Sequence, residues 1–104
     1  MAEQMYLEFP VKTEHAEDFF DLCNSSLGFT LTKKQPGFIS SEWMISTSEN
    51  GKKCFHLWEK WESKEHFAAY METPERIAGS KFELYLRKWG DGDTKVFWGN
   101  INFV

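Results

Sequence analysis

The fold is decided by the segment Phe38–Trp61, which reads FISSEWMISTSENGKKCFHLWEKW. Apolar and polar residues alternate in both halves of the segment. This period of two predicts two β-strands, from about 38 to 47 and from about 53 to 61. Between them, Asn50-Gly51 can provide the positive φ angles of a tight hairpin turn. The segment therefore predicts an antiparallel hairpin.

The chain before this hairpin predicts a strand followed by a helix. Apolar residues alternate with more polar neighbours in the strand, at Met5, Leu7, Phe9 and Val11. Thr13 is a suitable cap for the helix, because its hydroxyl can accept from amides of the first turn. The helix has one apolar stripe at three- and four-residue spacings: Ala16, Phe19, Phe20, Cys23 and Leu27. Gly28 weakens the helix, which either ends there or continues to about Lys34, and Pro36-Gly37 stops it in either case.

The chain after the hairpin predicts the same two elements in reverse order. Ser63 caps a short helix, Thr73-Pro74 restarts it, and Gly90 ends it. A last strand runs from Lys95 to Val104. The order β-α-β-β-α-β predicts an α+β, ferredoxin-like fold in one domain spanning residues 1–104. Right-handed crossovers then place both helical segments on one face of a four-stranded antiparallel sheet.

Each strand divides into two sets of side chains, because successive residues point to opposite faces. The set predicted to lie under the helices is almost entirely hydrocarbon: Met5, Leu7, Phe9, Val11, Ile39, Trp43, Ile45, Phe55, Leu57, Trp61, Phe97, Ile101 and Phe103. The opposite set mixes polar groups with large apolar ones. Such a patch is rarely left exposed by a soluble monomer. We therefore expect a homodimer in which two sheets pack face to face, through Phe38, Met44, His56, Trp58 and Trp98. The alternative is a monomer whose last strand folds over that face.

Composition excludes several classes of protein. Sixteen acidic and twelve basic residues give a net charge of -4, which argues against a nucleic-acid partner. No apolar run is long enough to span a membrane, and Met1-Ala2-Glu3-Gln4 does not resemble the start of a signal peptide. Cys23 and Cys54 lack metal-binding or redox spacing and are interpreted as reduced thiols. We expect a cytoplasmic protein without a metal site.

Two motifs carry a family resemblance. Pro36-Gly37-Phe38, followed by Glu59-Lys60-Trp61-Glu62-Ser63 and then by Phe67 and Thr73-Pro74, resembles the antibiotic-biosynthesis-monooxygenase-like group of the dimeric α/β-barrel superfamily. The resemblance covers nearly the whole chain. It implies sheet-to-sheet dimers and a small hydrophobic ligand bound between the sheet and the helices. Some members oxidise polycyclic phenols or quinols with oxygen and no cofactor, and others degrade haem.

The resemblance also implies which residues line the pocket. Trp61 matches a pocket tryptophan of the cofactor-free oxygenases. Their asparagine and tyrosine correspond to Leu57 and Phe67 here, and their basic residue on the last helix falls near Lys81. Ser80 stands where the haem-degrading relatives carry a histidine, which makes haem handling the least favoured reading. The expected ligand-binding set is Leu57, Trp61, Phe67, Tyr70, Lys81 and Trp43.

Glu59 and Tyr70 are the candidate catalytic residues. Glu59 is the ionisable side chain predicted on the helix-facing side, where desolvation would raise its pKa toward that of a general base. Alternatively it is half-solvated and paired at the strand end. Tyr70 either donates a hydrogen bond to a ligand or packs in the core. If these residues act on a ligand, the protein is a cofactor-free monooxygenase. If they only pack or pair, it is a non-catalytic carrier of a lipid-like or polycyclic ligand.

Overall fold

Four β-strands form one antiparallel sheet in the computed structural model, which describes residues 2–100 and residue 102. The strand bounds are Glu3–Val11 (β1), Phe38–Thr47 (β2), Lys53–Trp61 (β3) and Lys95–Gly99 (β4). Their spatial order is β2-β3-β1-β4, so the central hairpin lies beside the pair formed by the two strands at the chain's ends, and β3 pairs with β1. This order confirms the ferredoxin-like α+β fold.

The helices are shorter than the sequence predicts. Their bounds are Ala16–Cys23 (α1), Phe29–Thr32 (α2), Lys64–Met71 (α3) and Lys81–Trp89 (α4). Ser63 caps α3 as expected, its hydroxyl accepting from the amide of His66. Thr13 does not cap α1; it begins a 3-10 turn, and its hydroxyl donates to Gly51 O over 3.3 Å. Among the described residues, no helix is long and apolar enough to cross a membrane.

The segment 72–80 corrects the predicted second helix. Thr73-Pro74 does not restart a helix that reaches Trp89; the chain instead makes successive turns until Ser80 caps α4. Ile77 N donates to Thr73 O over 2.8 Å, and Ser80 N donates to Ile77 O over 2.9 Å. Gly79, with a φ of 89°, adopts a backbone conformation that other residues rarely take. These turns direct Arg76 toward the sheet.

The core lies between the helices and one face of the sheet. Trp61 and Met5 have no accessible surface, and Val11 and Phe19 are almost completely buried. Phe19 meets Phe55 edge to face, with ring centroids 4.9 Å apart. Aromatic pairs in this geometry add to the stabilisation from burial alone. A few large rings therefore close the space between the two layers.

A β-bulge near the start of β2 changes the predicted faces there. Phe38 pairs with Trp61 and Ser40 pairs with Lys60, which leaves Ile39 without a partner on β3. Phe38 consequently shares the face of Trp61, and their rings meet edge to face at 5.5 Å. Ile39, expected under the helices, is exposed. The extra residue of a bulge reverses the alternation on one side of it, and the sequence carried no signal for it.

The faces of β4 are the reverse of those predicted. Phe97 lies opposite Tyr6 and Trp98 opposite Met5, and residues paired across antiparallel strands share a face. Trp98 is therefore on the helix side, where it meets Phe67 edge to face at 5.4 Å. Phe97 is on the open side and is 56% exposed. Ile101, Phe103 and Val104, predicted to continue this strand, lie outside the described residues.

Two glycines, one just before β2 and one in the turn between β2 and β3, give a matched test of the local backbone. Gly37 and Gly51 both have positive φ, 85° and 82°. A Cβ on Gly37 would lie 2.3 Å from Cγ of His66, whereas a Cβ on Gly51 would meet nothing within 4 Å. We expect Gly37→Ala to lower the free energy of unfolding by about 2–4 kcal/mol and Gly51→Ala by about 1–2 kcal/mol. Urea denaturation measures both; equal losses would contradict the clash with α3.

Candidate active site

A cavity of about 510 Å³ lies between the sheet and the helical layer. Strand β1 contributes Met5, Leu7 and Phe9 to its wall, and β3 contributes Phe55 and Leu57. Its volume is within the range of roughly 300–1,000 Å³ that is usual for small-molecule sites. An apolar wall of this kind favours a hydrophobic ligand, whose orientation then depends on the few polar groups present.

Glu59 is the buried carboxyl of this wall. Its side chain lies on the helix-facing side of β3 and is 3% exposed. Trp61 Nε1 donates to Glu59 Oε1 over 3.1 Å. Burial raises the pKa of Glu59 to about 7, an effect that the hydrogen bond from Trp61 and the positive charge of Arg76 reduce. The carboxyl therefore exchanges a proton near neutral pH, as a general base must.

Two arginines line the cavity: Arg87 on α4, which is exposed, and Arg76, which is half-buried and comes from the turns between α3 and α4. The guanidinium carbon of Arg76 lies 3.9 Å from the centroid of the Phe82 ring and 4.9 Å from that of Tyr70. Nη1 donates to the Tyr70 hydroxyl, and Nε lies 3.8 Å from Glu83 Oε1. These contacts hold a positive charge at the wall, where an anionic oxygen would be stabilised.

The Tyr70 hydroxyl is already engaged inside the protein. It accepts from Arg76 Nη1 and lies 2.7 Å from Thr32 Oγ1. Because Thr32 Oγ1 donates to Gly28 O over 3.2 Å, its role toward Tyr70 is that of acceptor. Tyr70 thus has its own proton bound to Thr32. Donation to a ligand would require that bond to break.

Four of the residues predicted from the sequence meet at the cavity: Leu57, Glu59, Phe67 and Tyr70. Trp61 lies behind the wall rather than in it, stacked on Tyr70 with the rings 5.8 Å apart and edge to face against Phe67. Its contribution to the cavity is the hydrogen bond that holds Glu59.

The other two predicted ligand-binding residues lie elsewhere. Trp43 packs against Phe20 and Phe29, with ring centroids 5.1 and 5.3 Å away. Lys81 is exposed at the start of α4, with its ammonium 5.9 Å from the Tyr85 ring. The basic group expected at Lys81 is instead Arg76, because the predicted helix is interrupted at 72–80.

Sequence reasoning missed five polar residues that line the cavity: Thr32, Arg76, Glu83, Arg87 and Thr94. Only Glu83 had a local signal, since Ser80 and Glu83 have the spacing of a capping box. Ser80 Oγ does accept from the amide of Glu83. The reciprocal bond is absent, because Ser80 N donates to Ile77 O and the Glu83 carboxyl approaches Arg76.

The open face of the sheet carries a separate polar chain. His56 Nδ1 lies 2.9 Å from the Tyr6 hydroxyl, which donates to Glu8 Oε1 over 2.8 Å, and His56 Nε2 lies 2.8 Å from Ser46 Oγ. Of the interface residues predicted from the sequence, His56, Met44 and Trp58 are on this face. Phe38 and Trp98 are on the helix side, and Phe97 is on the open face in place of Trp98.

Comparison with known proteins identifies the family. Residues 5–81 match the model of the family described as "antibiotic biosynthesis monooxygenase". The chain belongs to this family. A comparison with curated protein sequences gives no match.

Solved structures of low sequence identity share the fold. A conserved protein from Methanosarcina mazei superimposes with a TM-score of 0.76 at 18% identity, covering 98% of this chain and 94% of that one. The monooxygenase from the gene ActVA-Orf6 of Streptomyces coelicolor, in complex with nanaomycin D, gives 0.71 at 17%, covering 99% and 89%. SnoaB, a cofactor-independent oxygenase from Streptomyces nogalater, gives 0.67 at 12%, covering 99% and 95%.

Glu59→Gln tests the buried carboxyl through stability. The folded pKa of about 7 is above the ordinary value of 4.5, so between these values the native state binds more protons and stability falls as pH rises. As pH rises from 5 to 8, we expect ionisation of Glu59 to lower the free energy of unfolding by up to about 3 kcal/mol. Glu59→Gln should abolish that loss. Urea denaturation at both pH values measures it.

Glu75→Gln is the matched control, because Glu75 is an exposed carboxylate next to Arg76 in sequence. It should keep the pH dependence of the parent protein. The same pH dependence in Glu59→Gln as in the parent would show that Glu59 does not hold a proton in the folded state.

Proposed function

We propose that this protein is a cofactor-free monooxygenase acting on a polycyclic phenol or its keto tautomer. The observation that carries the proposal is a buried carboxyl, Glu59, that lines the same apolar cavity as a fixed cation, Arg76. Membership of the family and the fold shared with a cofactor-independent oxygenase support it. The complex of a neighbour with nanaomycin D supports a flat, oxygenated ligand.

The first step is a proton transfer to Glu59. A neutral phenol, or the methylene beside a ring ketone, gives its proton to the carboxylate, and the negative charge spreads onto the ring oxygen. Arg76 stabilises that oxygen, and the apolar wall excludes water that would weaken the attraction. The product of this step is an electron-rich anion next to a protonated Glu59.

The second step is the reaction of this anion with dioxygen. When a ring methylene becomes a carbonyl, the carbon loses two hydrogens and gains one oxygen atom, and the second oxygen atom leaves as water. The four electrons that dioxygen accepts all come from the substrate, so no external reductant is needed. The protein's contribution is to form the anion and to hold it in position.

Oxygen uptake with anthrone, a tricyclic ketone with such a methylene, tests the proposal. We expect the parent protein to convert anthrone to anthraquinone without added cofactor. Glu59→Gln should reduce kcat by about 10²–10⁴-fold, because a general base contributes that much, with a smaller effect on KM. Glu75→Gln should keep the parent rate. A rate in Glu59→Gln equal to that of the parent would remove Glu59 from the mechanism.

A non-catalytic carrier is the second candidate, and the engaged hydroxyl of Tyr70 favours it. With that proton bound to Thr32, fewer polar groups are free to act on a ligand. A carrier needs only the shape and the apolar wall of the cavity. Anthrone that quenches tryptophan fluorescence, with no oxygen uptake above the buffer rate, would identify a carrier.

The open face of the sheet is the proposed homodimer interface. Phe97 is 56% and Met44 49% exposed there, and Trp58 stands between Tyr6 and His56. Four polar side chains of this face, Tyr6, Glu8, His56 and Ser46, bond to one another, which reduces the desolvation cost of covering them with a second copy. The proposal keeps the sheet-to-sheet pairing predicted from the sequence, with Phe97 in the position assigned to Trp98.

Phe97→Glu should shift a dimer to a monomer, because it places a charge in an apolar contact. Leu84→Glu is the matched control: Leu84 is 53% exposed, but on α4. Light scattering at micromolar concentration measures the mass of both variants and of the parent. A monomeric parent, or a dimeric Phe97→Glu, would contradict this interface.

A further inference from the structure

Glu83 and Arg76 form an incomplete ion pair inside the cavity. Glu83 Oε1 and Arg76 Nε are both buried, and neither has a hydrogen-bond partner among the described residues. They lie 3.8 Å apart, close enough for attraction but too far for a hydrogen bond. In a capping box, the Glu83 carboxyl would accept from the Ser80 amide. Here that amide donates to Ile77 O instead. The carboxyl is therefore available to Arg76.

The rest of the guanidinium is fixed by neutral groups. Tyr70 accepts from Nη1, and the rings of Phe82 and Tyr70 lie along its planar surface. None of these groups carries a negative charge. Arg87, the second arginine that lines the cavity, is exposed. Arg76 is therefore the cation that two carboxyls share: Glu83, which faces Nε over 3.8 Å, and Glu59, which lines the same cavity and whose pKa the charge of Arg76 lowers.

Other titratable groups around Glu59 are few. The titratable side chains that line the cavity with it are Cys23 from α1, Tyr70 from α3, Arg76 from the turns, and Glu83 and Arg87 from α4. The neighbouring strands place Met5 and Ser41 opposite Glu59, and neither titrates. Burial raises the pKa of the Cys23 thiol to about 12, so it stays neutral. Glu83 is thus the carboxylate placed to offset Arg76.

We propose that Glu83 is a positioning residue that offsets the charge of the Arg76 guanidinium held beside Tyr70, and so sets the proton affinity of Glu59. Without Glu83, the positive charge of Arg76 acts on Glu59 alone and favours its ionised form. Glu59 would then be a weaker base at the same distance from the ligand. The inference rests on the proposed function in one respect only, that Glu59 takes its proton from a substrate.

The test follows the side-chain carboxyl carbon of Glu59 by ¹³C NMR across pH, without any ligand. Its resonance is identified as the one missing from Glu59→Gln. We expect Glu83→Gln to lower the titration midpoint by about half a pH unit or more, and Arg76→Gln to raise it. Glu75→Gln, which removes one exposed charge near the same turns, should leave the midpoint within about 0.1–0.2 units because solvent screens it.

A double variant separates action through Arg76 from a direct effect. In the Arg76→Gln background, Glu83→Gln should move the midpoint no more than Glu75→Gln does. A midpoint that is unchanged or raised in Glu83→Gln, or an equal fall in both backgrounds, would overturn the proposal. If Glu83→Gln does not fold, Glu83→Asp replaces it: the carboxylate is withdrawn by one methylene, a fall in the same direction is expected, and an unchanged midpoint overturns the proposal.

The two proposals fail separately. A lower midpoint in Glu83→Gln with no oxygen uptake by the parent would support the role of Glu83 and overturn the monooxygenase. Oxygen uptake with an unchanged midpoint would overturn the role of Glu83 alone. Where both hold, Glu83→Gln should also shift the pH profile of kcat toward acid by the same amount as the NMR midpoint.

Discussion

The desolvation of one carboxyl among aromatic rings is the constraint on which the rest of the site depends. Glu59 and Trp61 occupy alternate positions of β3, so both face the helices. Trp61 provides a single N–H donor, which does not replace the water that a carboxylate loses on burial. The ionised form is therefore costly, and the proton affinity of Glu59 rises until it titrates near neutrality. The positive charge of Arg76 limits how far the pKa of Glu59 rises.

Arg76 connects this constraint to the helical layer. Its guanidinium touches Tyr70 on α3 and Phe82 and Glu83 on α4, while Tyr70 reaches Thr32 on α2. One polar cluster thus joins three helices above an apolar cavity. The hydrogen bonds within the cluster hold the charged guanidinium of Arg76 in a fixed position at the cavity wall. Such pre-organisation is what distinguishes a reactive cavity from a gap in packing.

The strands and the cap at Ser63 followed from local patterns, whereas the interruption of the second helix at 72–80 and some of the faces did not. The hairpin, the cap at Ser63 and the order of elements along the chain agree with the sequence because turn residues, caps and alternation are short-range properties. Alternation divides a strand into two sets but does not say which set is covered. In β4, Phe97 and Trp98 are adjacent, so an aromatic side chain lies on each face whichever way the strand is turned. Pairing with β1 decided that Trp98 faces the helices. In β2, the bulge at Ile39 reversed the order for Phe38.

By itself, the sequence determined the α+β architecture, the apolar layer under the helices, and the presence of one carboxyl, Glu59, within it. These depend on period and on residue type. Only the tertiary structure decided which of two basic residues lines the cavity with that carboxyl. Lys81 and Arg76 are both basic and five positions apart, but the turns at 72–80 direct Arg76 inward and leave Lys81 in solvent. Contacts between distant segments, which no local pattern encodes, made that choice.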